Sequence, residues 1–191
     1  MKKQWMVAIR FTLITTVIFG LIYPLIVTVL SQWLFPRQAN GSLIVKNGQV
    51  VGSHLIGQAF NANQYFHSRP SSAGNGYDPL SSGGSNLGPT NQALVVRVQQ
   101  DVAKWHQENP ATPVPADLVT ASGSGLDPDI SPASAAFQIP RVAKARGISA
   151  GELRRIVARH TQGRQDGLFG EPRVNVLELN LDLDESAPLH K

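Results

Sequence analysis

The longest uncharged stretch of the chain runs from Phe11 to Phe35 and limits what the amino-terminal part can fold into. Its 25 residues, FTLITTVIFGLIYPLIVTVLSQWLF, contain no acidic or basic side chain. As an α-helix at about 1.5 Å per residue they extend roughly 37 Å, more than the ~30 Å hydrocarbon core of a bilayer. A soluble helix of this length would need a polar face, which this stretch lacks. The stretch therefore predicts one transmembrane helix, residues 11–35.

A cleaved signal peptide is the alternative for an apolar stretch near an amino terminus. The apolar region of a signal peptide is only about 7–15 residues long and precedes a cleavage site of small residues. Here the stretch is longer and continues into Trp33-Leu34-Phe35-Pro36, which has no such site. We therefore expect an anchor that stays attached to the chain.

The charges beside the anchor predict its orientation. Lys2, Lys3 and Arg10 precede it, whereas Arg37 and Lys46 follow it. Basic residues favour the cytoplasmic side of a membrane, and a short tail is easily retained there. We expect a cytoplasmic tail, residues 1–10, and an extracytoplasmic domain, residues 36–191. In a Gram-negative bacterium that domain would be periplasmic.

The net charge of +4 does not indicate a nucleic-acid partner. Residues 1–37 carry four of the 17 Lys and Arg and none of the 13 Asp and Glu, so the remainder is balanced at 13 against 13. Basic residues beside a membrane span suit the lipid surface. From Arg141 to Arg173 there are eight basic and three acidic residues, and a late acidic run, Glu178 to Glu185, follows without a basic partner. A basic helical face that docks on an acidic surface is one interpretation, and a solvated basic face is the one we expect. The chain has no cysteine, which excludes disulfides and thiolate metal sites.

After the anchor, the local patterns mix strands with helices. Ser42–Val45 and Gln49–Ile56 flank Asn47-Gly48, a pair typical of a type I′ turn, and predict a β-hairpin. A helix is expected from Thr90 or Asn91 to Asn109, because apolar residues recur at helical spacing. Its apolar side, Leu94 to Trp105, is predicted to lie in the core.

Two further helices follow a short extended or helical piece at Asp117–Thr120. One begins at Ser131, ends near Gly147 and is predicted to be kinked or divided at Pro140. Another begins with a capping box at Ser149 and ends at Gly163. The predicted fold is a single N-terminal transmembrane helix plus one extracytoplasmic α/β (α+β) domain.

The run from Arg173 to Leu183 fits two kinds of structure. Leucines at alternate positions from Leu177 onward favour a strand, with a bulge where Val176 breaks the alternation. A helix opened by Pro172 is the rival interpretation. We predict the strand.

Motifs that could bind a ligand fail at required positions. Gly83–Gly88 has the glycine spacing of a phosphate-binding loop, but Pro89 stands in place of the lysine. The Asp127–Ser131 segment resembles the start of a calcium loop, but Pro132 stands where glycine is required. The five histidines lack the spacing of a zinc site, and no G-x-S-x-G elbow is present. The sequence therefore predicts no catalytic, cofactor-binding or metal-binding residue.

Two loops remain as candidates for docking another protein. Tyr65–Pro89 is aperiodic yet carries aromatic residues, and Ser122–Pro132 consists of tight turns. Aromatic residues that close the domain's own core would give the same pattern, and that alternative stays open. The candidate docking residues are Tyr65, Phe66, Arg69, Tyr77, Ser122, Gly123, Ser124, Gly125 and Asp127.

Several motifs resemble one known family. The segment PADLVTASGSGLDPDISP, residues 115–132, closely resembles the signature of the KdpC family, the C subunit of the Kdp potassium-pumping ATPase. The single anchor and the chain length are similar as well. Further matching motifs occur in the family's order: Tyr65-Phe66-x-x-Arg69-Pro70, Ser82–Pro89, Arg141–Gly147 and Gly170–Leu177.

The resemblance implies an accessory subunit rather than an enzyme. Its expected partners are a channel-like potassium-translocating subunit, a P-type ATPase catalytic subunit, a small single-span subunit and the lipid bilayer. The expected location is the bacterial inner membrane. In that family the C subunit stabilises the assembly and acts as a catalytic chaperone that raises the ATP affinity of the ATPase subunit.

ATP is the only cofactor that the resemblance implies. Leu80–Gly84 resembles the signature loop of ABC-type ATPases, although Ser85 replaces its glutamine. The charge flanks place this loop outside the cytoplasm, where ATP is absent. We therefore expect ATP to act through the complex, by coupling along the anchor. A membrane-anchored periplasmic hydrolase or binding domain is the alternative function.

Overall fold

The structure is a computed structural model that describes residues 2–188. It divides into two compact units, Met1–Val51 and Gly52–Lys191. The last three residues of the predicted extracytoplasmic domain, 189–191, lie outside the described part.

The first unit begins with a helical run of 33 residues, Lys2–Leu34, whose mean hydropathy reaches 2.4 and whose side chains are not buried within the chain. It comprises α1 (Lys2–Val17), a π-helical turn (Ile18–Ile22) and α2 (Tyr23–Leu34). The run is long and apolar enough to cross a membrane, as the sequence predicts. It differs from the expectation at its start, because the predicted tail is helical from Lys2.

The π-helical turn marks the place where Pro24 enters the helix. Pro24 has no N–H, and its ring would clash with the carbonyl four residues earlier, which belongs to Gly20. The backbone widens there, and the Tyr23 N–H donates to the Ile18 carbonyl five residues back. One widened turn lets the helix pass the proline without ending.

The predicted hairpin is confirmed. After the short helix α3 (Pro36–Ala39), strand β1 (Leu43–Lys46) pairs with β2 (Gln49–Ser53). Asn47 and Gly48 both have positive φ, 53° and 77°, as a type I′ turn requires. The second strand ends at Ser53 instead of Ile56, because the chain turns back there in a Ser53–Ile56 bridge.

The second unit packs helices against a small antiparallel sheet, which confirms the α+β class. The sheet has the order β3 (Asp129–Ile130), β5 (Arg173–Asn175), β4 (Thr161–Gln162). Helices α5 (Pro132–Arg146) and α6 (Ala150–His160) supply much of its core. The largest fully buried apolar side chains of this core are Phe66, Ile130, Leu153, Leu179 and Leu183.

The predicted caps begin α5 and α6, but the predicted end of α6 is wrong. Ser131 accepts the Ser134 N–H and Ser149 accepts the Glu152 N–H, so that each hydroxyl satisfies a free backbone donor. Pro140 lies on the exposed side of α5 and does not divide it. Helix α6 ends at His160, before Gly163, because Thr161–Gln162 pairs with β5 as a strand.

The strand prediction for residues 173–183 is wrong beyond Asn175. The strand stops at that residue, whose side chain accepts the Glu178 N–H and caps helix α7 (Val176–Ser186). Val176, Leu179 and Leu183 stand at helical spacing and are buried together. The supposed bulge at Val176 is therefore the first helical residue, and the helix begins later than one opened by Pro172.

Helix α4 (Gln92–Glu108) forms as predicted, with Asn91 as its cap, but its apolar side is only partly buried. Trp105 is buried, and its indole N–H donates to the Leu118 carbonyl at 3.0 Å. Val102 is exposed. The predicted short piece is a 3₁₀ turn at Ala116–Leu118. A second apolar cluster therefore holds only the carboxyl-terminal part of α4: Trp105, Leu118, Val119 and Phe137, with Val98 and Val114 against it.

Three acidic residues of α7, Glu178, Asp182 and Asp184, are paired with cations inside the domain. Asp182 lies 2.8 Å from the His160 ring and 3.1 Å from Arg159. Arg146, whose side chain is fully buried, contacts Asp184 at 2.8 Å. The remaining pair joins Glu178 to His54. These cations come from distant parts of the sequence, and the run tethers α7 to three other segments.

We expect Leu179→Ala to lower the free energy of unfolding by about 2–5 kcal/mol, because a large, fully buried side chain is removed from α7. Val102→Ala on α4 is the matched control and should change it by less than about 1 kcal/mol, because Val102 is exposed. Thermal or chemical unfolding of the two variants measures the difference. Equal effects would contradict the burial of the α7 leucines.

Acid should weaken the contact between α6 and α7. Burial alone would raise the pKa of the Asp182 carboxyl, but the hydrogen bond and charge of His160, with Arg159, outweigh burial and lower that pKa. The stabilisation is thus present above the ordinary aspartate pKa near 4 and is lost as pH falls through the lowered value. Melting temperatures between pH 6 and 3 should fall less steeply for Asp182→Asn than for the unaltered chain. Parallel curves would refute this assignment.

Candidate functional site

The candidate site depends on an irregular segment, residues 63–67, that the helices hold by their side chains. The Asn180 amide accepts the Phe66 N–H and donates to the Phe66 carbonyl, both at 2.9 Å. Gln138 makes the same pair of bonds with the backbone of His67, at 2.8 and 3.1 Å. Each amide therefore replaces the neighbouring strand that a β-ladder would supply.

Two arginines hold the carbonyls of the same segment. Arg141 donates to the carbonyls of Asn63 and Tyr65 at 2.8 and 3.0 Å. Arg146 donates to the Gln64 carbonyl at 2.7 Å. With the two amides, these bonds fix a stretch that has no regular secondary structure.

Phe66 is a core residue, so the expectation that its side chain docks a partner is wrong. The residue is fully buried in the main core, in one cluster with side chains of α5, α6 and α7. An aromatic residue beside Tyr65 could equally have been a surface anchor, and only the fold separates the two cases. For Phe66, the alternative of a ring that closes the core is the correct one.

Tyr65 is half-buried and has structural partners of its own. Its hydroxyl donates to Asp184 at 3.0 Å, and its ring lies 5.0 Å from the Arg146 guanidinium. Burial, together with the Asp184 carboxylate, raises the pKa of the Tyr65 hydroxyl. The ring also contacts that of Phe60 in a tilted arrangement, with 5.5 Å between centroids and 50° between the ring planes. Tyr65 therefore links residues 63–67 to α7, and its polar group is engaged within the domain.

The structure brings the two predicted docking loops together into one surface. We call residues 68–89 and 122–132 the two-loop surface. The Ser71 hydroxyl donates to the Gly125 carbonyl at 2.6 Å, and the Gly83 N–H donates to the Ser124 carbonyl at 2.8 Å. The Ser82 hydroxyl donates to the same Ser124 carbonyl at 3.0 Å. Backbone and hydroxyl bonds thus join residues that are far apart in sequence, 54 positions for Ser71 and Gly125 and 42 for Ser82 and Ser124.

Gly125 is required where the loops meet. Its φ is +68°, a conformation that L side chains rarely adopt. A Cβ atom there would lie 2.6 Å from the Ala73 nitrogen and 2.7 Å from the Gly83 carbonyl oxygen. Both contacts are with backbone atoms of the other loop, so neither can give way easily. The glycine therefore sets how closely the loops approach.

A salt bridge and a tyrosine fix the polar part of the two-loop surface. Arg69 contacts Asp127 at 2.8 Å, and the other Asp127 oxygen accepts the Asp129 N–H at 3.0 Å, which is the side-chain bond of an Asx turn. Tyr77 donates its hydroxyl to the Arg69 carbonyl. Burial raises the pKa of that hydroxyl. Tyr77 is half-buried, so part of its ring remains accessible beside the salt bridge.

The most exposed apolar residue of the two-loop surface, Leu80, was missed by the sequence analysis as a docking candidate. Its side chain is 94% exposed at the tip of the first loop. The turn beneath it is held by the Asp78 carboxylate, which accepts the Leu80 N–H at 2.9 Å. The available signal was a single large apolar residue after Asp78-Pro79 in a run otherwise rich in Gly and Ser.

A cleft of about 190 Å³ lies between this surface and α4, with Trp105, Lys104 and His67 among its lining residues. Burial, with the nearby charge of Arg141, lowers the pKa of the His67 ring to about 4. His67 is therefore neutral near pH 7 and hydrogen-bonds to the Ala62 carbonyl at 3.2 Å. Such a ring is positioned for packing rather than for proton transfer at neutral pH. Within residues 2–188 no group of three His, Asp or Glu side chains is placed to hold a metal ion.

Taken together, these features define a class: a chain with one apolar membrane-length helix and an α+β domain that presents a rigid loop surface. The chain matches the family described as "KdpC: K+-transporting ATPase, c chain" over residues 5–185. It belongs to the KdpC family.

Individual relatives agree with this assignment over nearly the full chain. Proteins named "Potassium-transporting ATPase KdpC subunit" include one from Acidobacterium capsulatum, 62% identical over 178 residues, 93% of this chain and 96% of the relative. One from Koribacter versatilis is 57% identical over 189 residues, 99% of this chain and 98% of the relative. One from Rhodopseudomonas palustris BisB18 is 54% identical over 196 residues, 96% of this chain and 98% of the relative.

Phe66→Ala should lower the free energy of unfolding by about 3–5 kcal/mol, because it empties a fully buried site beneath the held segment. Leu80→Ala is the matched control and should leave the melting curve within about 0.5 kcal/mol, because its side chain is in solvent. Thermal melting of the purified chain compares them. A Phe66 variant as stable as the Leu80 variant would refute the core assignment.

Proposed function

We propose that this chain is an accessory, non-catalytic subunit of an ATP-driven potassium uptake complex. The family match over residues 5–185 is the observation that carries the proposal. The names of the relatives, which describe them as subunits of a potassium-transporting ATPase, support it. The partners in this proposal are a channel-like potassium-translocating subunit, a P-type ATPase catalytic subunit and a small single-span subunit.

The chain is anchored in this proposal by its 33-residue apolar helix in the bacterial inner membrane. The amino terminus lies in the cytoplasm and the domain in the periplasm, as the basic residues Lys2, Lys3 and Arg10 favour. The balanced charge of the remainder is compatible with an aqueous compartment and argues against nucleic acid. The lipid bilayer is thus a partner of the anchor alone.

Its role is to stabilise the assembly and to raise the affinity of the ATPase subunit for ATP. The effect on ATP is allosteric in this proposal, since a periplasmic domain and a cytoplasmic nucleotide are separated by the membrane. Binding energy at one site changes affinity at another only if both sites bias the same equilibrium. We assign that coupling to the anchor, with no direct contact between this chain and ATP.

The two-loop surface is the docking region in this proposal, with Arg69, Tyr77, Asp127 and the Ser122–Gly125 turn as contact residues. We add the exposed Leu80 to these contact residues and leave out Phe66, whose side chain is buried. The rigidity of the joined loops supports this role, because a surface that is already ordered loses little entropy when it binds.

Reporter fusions placed after Arg37 and at Lys191 test the topology. A reporter active only in the periplasm should be active at both points, and a cytoplasmic reporter should be inactive at both. Cytoplasmic activity at both points would overturn the orientation and restore direct contact with ATP as a possibility.

Omission of the chain tests the functional role. Cells that lack it should fail to grow at low potassium, and the remaining subunits should copurify poorly. ATPase activity of any complex recovered without the chain should require a higher ATP concentration for half-maximal rate. The purified chain alone should hydrolyse neither ATP nor the esters and peptides of a broad hydrolase screen. Normal growth and an unchanged ATP requirement without the chain would refute the proposal.

A further inference from the structure

The hairpin formed by residues 164–171 is a rigid projection at the end of the β4–β5 connection. Gln165 and Phe169 exchange backbone hydrogen bonds at 2.8 and 2.9 Å. Asp166 and Gly167 at the turn both have positive φ, 54° and 73°. At the base, Arg164 contacts both oxygens of Glu171, at 2.7 and 2.8 Å. The hairpin therefore has a fixed shape without packing on the core.

Its tip exposes two large apolar side chains next to each other. Leu168 is 70% exposed and Phe169 is 62% exposed. Only polar residues, glycine and the Arg164–Glu171 pair surround them in sequence. Scattered single exposed apolar residues are ordinary, but an adjacent pair on a preformed turn is typical of a contact site.

The hairpin borders a groove of about 460 Å³ that also reaches the two-loop surface. Glu171 and Arg173 form one side of the groove, and Arg69, Asp127 and Asp129 belong to its other lining residues. The groove is thus lined both by the surface that we propose for docking and by Glu171 at the base of the hairpin that carries the exposed apolar pair.

The charge of the groove indicates what kind of partner it fits. Its ionisable lining consists of four carboxylates, Asp117, Asp127, Asp129 and Glu171, against two guanidinium groups, Arg69 and Arg173. Arg164, beside the groove, neutralises Glu171, so four carboxylates face three guanidinium groups and the net formal charge is −1. Burial, together with the Asp127 carboxylate, raises the pKa of Asp129 even though Arg173 opposes the shift. A further cation brought by a partner would stabilise the ionised groove.

We infer that the 164–171 hairpin is an apolar anchor for another protein chain of the potassium-transporting ATPase, which inserts a basic residue into the adjacent groove. The partner segment presents an apolar recess for Leu168 and Phe169 next to a Lys or Arg side chain. This inference rests on the proposed function, because it takes its partner from that complex.

Charge separates this partner from the other surfaces that could cover the tip. An anionic lipid surface attracts basic segments and repels acidic ones, so a net negative groove beside the tip disfavours it. A second copy meeting the first about a two-fold axis would bring together two identical acidic grooves. A basic protein segment meets neither objection.

Photocrosslinking in the assembled complex tests the inference. Phe169 is replaced by p-benzoylphenylalanine, which keeps an aromatic ring at the tip, and the full complex is irradiated in native membranes. Leu55, which is 63% exposed outside the hairpin and the groove, takes the same replacement as the control. We expect the Phe169 position to crosslink to another subunit of the complex, identified by its mass, and the Leu55 position to crosslink at least tenfold less.

The double variant Leu168→Ser/Phe169→Ser measures how much the two apolar side chains of the tip contribute to binding of the other subunits. Copurification with the other subunits should fall about tenfold or more, as for an interface hot spot, while Leu55→Ser should change it by less than twofold. Melting of the purified chain should be unaltered for both variants, because the substituted side chains are exposed. Higher salt should weaken copurification of the unaltered chain more than that of Glu171→Gln, which has one groove charge fewer.

The outcomes separate this inference from the proposed function. Crosslinks to lipid or to a second copy of this chain overturn the inference, and so does undiminished copurification of the double variant. In those cases the unaltered chain still copurifies, and the proposed function stands. If the unaltered chain fails to copurify with any ATPase subunit, the proposed function itself is wrong.

Discussion

The domain depends on side-chain amides that take the place of a missing strand. Residues 63–67 lie against buried parts of the domain without a neighbouring strand, and a buried peptide group without a hydrogen-bond partner costs on the order of 1–3 kcal/mol. Asn180 and Gln138, themselves buried, each bind both backbone groups of one residue. Because these two amides come from α7 and α5, the segment can be ordered only when both helices are already in position.

The buried cation Arg146 also makes the position of residues 63–67 depend on α5 and α7. Arg146 binds backbone carbonyls at Gln64, Leu183 and Ala187 and pairs with Asp184, so one buried cation joins the held segment to the end of α7. A buried guanidinium is tolerated only when its donors are satisfied and its charge is paired. The acidic run of α7 is therefore a partner of internal cations. The two-loop surface continues directly from this segment and takes its position from it.

The elements that could be predicted from the sequence are those whose signals are local. The Asn47-Gly48 turn, the caps at Ser131 and Ser149 and the long apolar helix each depend on residues that are neighbours in sequence, and each of these elements is confirmed. The strand predicted beyond Asn175 fails because the alternating leucines include Leu179 and Leu183, which are four residues apart and with Val176 also fit one side of a short helix. Only burial of Val176, Leu179 and Leu183 together decides between the two.

The candidate site is predictable only in outline, because its decisive contacts join residues far apart in sequence. The two loops are identifiable by composition, but their union through Ser71, Gly83 and Ser124 is not. The burial of Phe66 follows from Asn180, 114 positions away, which holds its backbone inward. The exposure of Leu168 and Phe169 could not be predicted either, because nothing in the neighbouring sequence distinguishes them from apolar residues of the core.

Hydrogen–deuterium exchange at the Phe66 and His67 amides of the full chain in detergent is the most direct test of this account. Both N–H groups donate to side-chain oxygens rather than to a ladder. The account predicts that they are protected as strongly as amides inside α5, and that Asn180→Ala removes the protection at Phe66 first. Exchange at these two amides as fast as in an unstructured peptide would show that the segment is not held, and would contradict the account.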